Sequence, residues 1–153
     1  MKIWIDADAC PREIKEVVYR AAKRTETRVT LVANQGLQTP SSPLIDSLIV
    51  PTGLNAADQE IVARLSPGDL VVTADVPLAA EVVEKGATAI DPRGTLYTND
   101  NVSERLAVRN LMDQLRGEME MGGGPRAFGP KDRQAFANQL DRWLTMHRNR
   151  KTP

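Results

Sequence analysis

Apolar positions along the chain come in short blocks, alternately strand-like runs and helically spaced stripes. Lys2 to Asp6 is a short strand rich in Ile and Trp. Pro11 then opens a helix in which Ile14, Val17, Val18, Ala21 and Ala22 form one stripe. Arg28 to Ala33 (RVTLVA) reads as a second strand, and Ser47 to Val50 as a brief third. Between them Asn34 to Pro43 is a loop rich in Gly, Pro, Ser and Gln. Asn55 caps a helix carrying Ile61, Val62 and Leu65, which Ser66-Pro67-Gly68 ends. Leu70 to Thr73 (LVVT) is apolar enough to be a central strand. Val76 to Glu84 follows as a helix closed by Gly86, and Ala87 to Ile90 is a fifth strand.

This alternation predicts a three-layer α/β domain, with a mostly parallel sheet of about five strands and helices on both faces. Past Asp91 the pattern changes. Asn101-Val-Ser-Glu104 has the form of a capping box and opens a longer helix with Val108, Leu111, Met112 and Leu115 as its apolar face. A Gly-rich joint spans 121–130. A last helix, about 130–147, carries Phe136, Leu140, Trp143 and Leu144, and frays from about His147. The whole of 1–153 reads as a single domain whose core is about 1–116.

Composition narrows the class. The 153 residues suit one compact domain, and 41% apolar with 26% charged residues excludes a wholly disordered or fibrous chain. No apolar run exceeds three residues, against roughly 20 for a bilayer span, so no membrane partner is expected. The start has too short an apolar core for a secretory signal, and one cysteine cannot staple a fold. A soluble cytoplasmic protein is the simplest expectation. Lys plus Arg equal Asp plus Glu, 20 against 20, yet residues 126–153 hold seven basic and two acidic side chains. That is +5 on the tail and −5 on the rest, a polarity that steers anions to one end.

In a parallel α/β sheet, ligands bind beyond the carboxyl ends of the strands. Strand one ends in Asp6 with Asp8 just after, strand four in Thr73-Ala-Asp75, strand five in Asp91, and Asp58 lies in the first turn of the helix from Asn55. Carboxylates gathered at one edge repel one another unless a proton or cation intervenes. With only oxygen ligands, Mg²⁺ or Mn²⁺ is the economical neutraliser. Each acid also has a purely structural role open to it. Asp58 and Asp75 suit helix caps and Asp8 suits turn chemistry before Pro11, whereas Asp6 ends a strand with no helix start of its own.

The stretches 5–12 (IDADACPR), 55–63 (NAADQEIVA), 71–80 (VVTADVPLAA) and 129–136 (GPKDRQAF) together resemble the YaiI/YqxD family of small bacterial proteins. That family looks like a branch of the PIN-like nuclease fold. In PIN domains an Asp ends strand one, another acid lies on a mid-chain helix, and Thr/Ser-x-Asp ends strand four. Asp6, Asp58 and Thr73-x-Asp75 match those positions, and Asp8 falls where PIN domains often carry a polar residue. The resemblance implies a metal-dependent nuclease acting on RNA, with Asp6, Asp8, Asp58 and Asp75 holding Mg²⁺ or Mn²⁺. Thr73 would orient a water or a ligand carboxylate, and Arg126, Lys131 and Arg133 would receive the phosphate backbone. The further acid usual on PIN helices has no clear counterpart, and the GPKDRQAF segment with its basic helix is not a general PIN feature.

Two other readings compete. A haloacid-dehalogenase-like phosphatase would use Asp6 and Asp8 with Thr73, Lys85 and Asp91, which occur in the right order; Cys10 and the immediate helix at Pro11 depart from that pattern. A non-catalytic RNA- or protein-binding chain is the third, although six aromatic residues and zero net charge make a poor single-strand platform. Weaker signals resolve towards structure: Cys10 as a small buried residue, His147 as part of the basic tail, and Gly122 to Gly124 as a linker. Asn34 and Gln35 share the sheet edge with Asp6, as substrate contacts or as plain connector.

Overall fold

The computed structural model describes residues 1–51, 56–118 and 127–150. Its elements in chain order are β1 (Lys2–Asp6), α1 (Arg12–Thr25), β2 (Arg28–Ala33), β3 (Ile45–Ile49), α2 (Ala56–Arg64) and β4 (Leu70–Val72). There follow α3 (Val76–Glu84), β5 (Thr88–Ile90), β6 (Leu96–Tyr97), α4 (Asn99–Glu118) and α5 (Pro130–Arg150). They form one six-stranded sheet in the order β3-β2-β1-β4-β5-β6, parallel except for β6, which pairs antiparallel with β5.

Side-chain alternation along the strands sorts the core into two layers. Ile3, Ile5, Val29, Leu31, Leu70, Val72 and Ile90 pack against Ile14 and Val18 of α1 and Phe136 and Leu140 of α5. Trp4, Val32, Val71 and Ala89 face the other way, onto Ile61 of α2, Leu78, Ala79 and Val82 of α3, and Val102 of α4. From β1 the chain winds outward through β2 and β3, then returns to the other side of β1 for β4 and β5. Right-handed crossovers in opposite directions put their helices on opposite faces, and the crevice opens where the order reverses. That switch point lies between β1 and β4.

The amino end of the same strand pair is fixed by Asp69. It is buried, and it accepts hydrogen bonds from Lys2 N at 3.0 Å, Trp4 Nε1 at 3.1 Å and Ser66 N at 2.9 Å. With β1 and β4 tied there, the carboxyl ends that carry Asp6 and Thr73 keep a fixed register, in which Ile5 is paired with Val72.

Three differences from the sequence expectation have physical causes. The sheet has six strands rather than five, because β6 is only two residues long and too short to show periodicity. It exists because Asp91 turns the chain back, with Asp91 N donating to Thr95 O at 2.8 Å. Val108 and Leu111 do not face the core but are 53% and 55% exposed, since α4 lies past the last strand and packs chiefly on α3. The last helix continues to Arg150 rather than fraying from His147, whose Nδ1 lies 2.9 Å from Trp143 O. The capping Asn55, Gly122 to Gly124 and Arg126 lie outside the described residues.

The GPKDRQAF segment is a clamp. Asp132, buried, accepts from Gly129 N and from Arg93 Nη1, each at 3.0 Å, and the Arg93 guanidinium lies 5.7 Å from the Phe128 ring centre. This fixes the start of α5 to the loop after β5.

Candidate functional site

Asp6 ends β1 on the side facing α2 and α3, the same face as Trp4 two residues earlier. Only 8% of it is exposed, and its Oδ2 accepts a hydrogen bond from Thr73 Oγ1 at 3.1 Å. Thr73 Oγ1 in turn accepts from Asp75 N at 3.0 Å, which commits the hydroxyl proton to Asp6. Thr73 therefore orients a carboxylate, and its own position is fixed by the turn into α3.

Asp75 has two roles. Its Oδ1 caps α3 by accepting from Leu78 N at 3.1 Å, and its charge also acts on the carboxyl of Asp58 in the first turn of α2. The structural role foreseen for Asp75 is real, and the influence on Asp58 is additional to it. Asp8 sits in the short 3-10 turn Ala7–Ala9 after β1. It is exposed, and its Oδ2 accepts from Asn34 N at 2.9 Å. Asn34 thus ties the exit of β2 to the site through its backbone.

The electrostatics follow from this crowding. Burial raises the Asp6 carboxyl above its ordinary value, partly offset by the Thr73 hydrogen bond and reinforced by the charges of Asp75 and Asp8. Asp58 rises from its ordinary 3.8 to about 7, first by burial, then by the charges of Asp75, Asp6 and Glu81. Burial and crowding thus favour the protonated form of Asp58. Among the described residues no lysine or arginine forms a salt bridge with Asp6, Asp8, Asp58 or Asp75. Among the described residues, too, no group of three or more His, Cys, Asp or Glu side chains is placed so as to hold a metal ion.

This predicts a pH dependence of stability. The folded chain keeps the Asp58 proton up to about pH 7, whereas the unfolded chain releases it near 3.8. Between those values the folded state binds more protons, so stability falls as pH rises through the window and levels off above it. Asp58→Asn removes the titration. It should equal wild type near pH 4 and exceed it at pH 8 by about 1–2 kcal/mol, a value reduced for the partial exposure of the site. Urea unfolding at both pH values checks this; a difference that does not change with pH contradicts it.

The other sequence-derived candidates separate. Lys131 and Arg133 are exposed in the first turn of α5, where Arg133 lines a cleft with Glu13, Phe128 and Pro130. They reach the carboxyl edge of the sheet from the face opposite to Asp6. Lys85 follows α3 at the other end of the sheet and donates to Val62 O at 2.5 Å, so the structure does not bring it to Asp6. His147 lies three residues after Leu144, which sits with Met1 and Thr27 at that same far end. Cys10 is buried, its thiol pushed up to about 12 mainly by burial, which leaves it inert as a nucleophile.

Three residues escaped sequence reasoning. Glu81 adds a further negative charge near Asp58, and its signal was an acid in the middle of the apolar α3 stretch. Tyr97 and Arg105 belong to the unforeseen β6 and to α4. Burial first, and then the adjacent charge of Asp91, raises the Tyr97 hydroxyl to about 12.

The profile of the family described as "Uncharacterized BCR, YaiI/YqxD family" matches residues 4–146. The chain belongs to the YaiI/YqxD family. Its relatives there include a UPF0178 protein of Maridesulfovibrio salexigens, 54% identical over 150 residues, covering 98% of this chain and 99% of the relative. A UPF0178 protein of Syntrophotalea carbinolica is 57% identical over 147 residues, covering 96% and 99%. One of Shewanella amazonensis is 58% identical over 144 residues, covering 94% and 97%. No solved structure matches significantly. Among the described residues of this YaiI/YqxD chain, no helix is long and apolar enough to cross a membrane.

Proposed function

We propose that the protein is a PIN-like, metal-dependent nuclease that hydrolyses phosphodiester bonds of RNA at the β1/β4 switch point. The observation that carries this reading is that Asp6 and Asp75, from separate elements, are linked through Thr73, with Asp58 of a third element close enough for the charges of both to act on it. Helix capping alone requires Asp75 but neither of the other two. The donor set is all oxygen, and although its acids are not closed into a ready metal cage, they repel one another in a way that a cation drawing them together would relieve.

Asp6, Asp58 and Asp75, with Asp8 at the rim, would hold Mg²⁺ or Mn²⁺. Bound there, such an ion supplies Lewis-acid stabilisation of a phosphoryl oxygen and lowers the pKa of a bound water. The chain's own residues do the rest. Thr73 fixes one oxygen of Asp6. To serve as a ligand Asp58 would have to be ionised, so metal binding should be accompanied by proton release below about pH 7. Lys131 and Arg133, on the other face of the same edge, would take more distant phosphates of a long strand.

The test is Mn²⁺-dependent cleavage of a single-stranded RNA by the purified chain, absent in EDTA. Lys85→Met should cleave like wild type. If that variant instead lost turnover of a small phosphomonoester, the phosphatase reading would replace this one; no turnover of either substrate would favour a binding protein.

A further inference from the structure

An open cleft of about 400 Å³ runs beside the acid group, lined by Val76, Asn101, Glu104, Arg105 and Val108. Its volume falls at the lower end of small-ligand sites, roughly 300–1,000 Å³. Val76 directly follows Asp75, so the cleft begins where the carboxylates end. Val108 is 53% exposed, an apolar surface open to solvent in this cleft.

Arg105 supplies the cation. Its guanidinium carbon lies 5.8 Å from the Tyr97 ring centre, and its charge acts on both Asp91 and Tyr97, which turns it towards the sheet edge. Among the described residues it forms no salt bridge, so its donors are not committed to a carboxylate. Glu104 also lines the cleft, which leaves the Arg105 side, next to Tyr97, as the part open to an anion.

We infer that this cleft is the subsite for one nucleotide flanking the scissile phosphate of a single-stranded nucleic acid, with Arg105 holding its phosphate and Val76 and Val108 receiving its unstacked base. The inference rests on the nuclease reading for the word scissile, but not for the binding. A guanidinium matches phosphate oxygens in a planar fork, and an apolar floor accepts a base only when that base is free of a duplex stack.

The experiment uses the full chain carrying Asp6→Asn, so that the probe survives, and measures binding of fluorescein-labelled hexauridylate by anisotropy. Adding Arg105→Gln should weaken binding about tenfold. It should also lower the slope of log affinity against log salt by about 0.7, the signature of one lost single-strand phosphate contact. Arg105→Lys should recover part of both, and Val108→Asp should weaken binding with Arg105 intact. Equal melting temperatures confirm that each variant folds. Unchanged affinity in Arg105→Gln, or no binding of hexauridylate by the Asp6→Asn chain, overturns the subsite. Binding that depends on Arg105, in a protein whose wild type does not cleave, overturns the nuclease reading and leaves the subsite standing.

Discussion

Asp6→Asn should abolish Mn²⁺-dependent RNA cleavage, by roughly a thousandfold or more, while the metal-free protein stays at least as stable as wild type. The two effects have one cause. Asp6 is 8% exposed and its ionised form is disfavoured by burial and by the charges of Asp75 and Asp8. An asparagine keeps the shape and still accepts from Thr73 Oγ1, so the fold loses little and sheds a repulsion. The same change removes a formal negative charge from the centre of the proposed cation site. Several kcal/mol of transition-state stabilisation are lost with it, and about 4 kcal/mol corresponds to a thousandfold. Wild type should melt higher with Mn²⁺ than without, because a ligand bound only by the folded state stabilises it. Asp6→Asn should show no such shift. Cleavage rates and melting curves measured with and without metal check both halves; near-wild-type cleavage in the variant contradicts the assignment.

Gly94→Ala should be strongly destabilising although it lies outside the site. Gly94 has φ +93°, a region that disfavours L side chains, and an added Cβ would lie 2.6 Å from the Ala135 carbonyl carbon and 2.8 Å from Phe136 N. These are backbone atoms of α5, which cannot step aside without moving the helix. Backbone strain and overpacking each cost about 1–3 kcal/mol, so a loss of about 3 kcal/mol or more is expected. For a chain of this size that is roughly a 10 °C fall in melting temperature. The damage should spread to the Arg93–Asp132 pair, which joins the same loop to the same helix. A melting temperature within a degree of wild type would show that α5 can yield at this contact.

Legibility in the sequence followed the length and regularity of each element. β1, β2 and α3 were readable to the residue, because dense Ile and Val runs or a regular stripe bounded by Pro and Gly leave few alternatives. β6 was not, since two residues carry no period and its cause is the Asp91 turn. The apolar stripe of α4 was readable as helix but not as exposed, because periodicity reports a face and not what covers it. In the site, topology alone was enough to bring Asp6 and Asp75 to neighbouring strand ends. The nearness of Asp58 to Asp75, the influence of Glu81 and the inward turn of Arg105 depend on how α2, α3 and α4 pack, which no local pattern encodes.

The most direct test of the central claim is an anomalous difference map from a crystal of the wild-type protein soaked in Mn²⁺ above pH 7, where the Asp58 proton no longer competes. The account predicts a peak at the β1/β4 switch point, bounded by the carboxylates of Asp6, Asp58 and Asp75, with a crystal of Asp6→Asn showing none there. A fully soaked crystal with no manganese at that edge would contradict it.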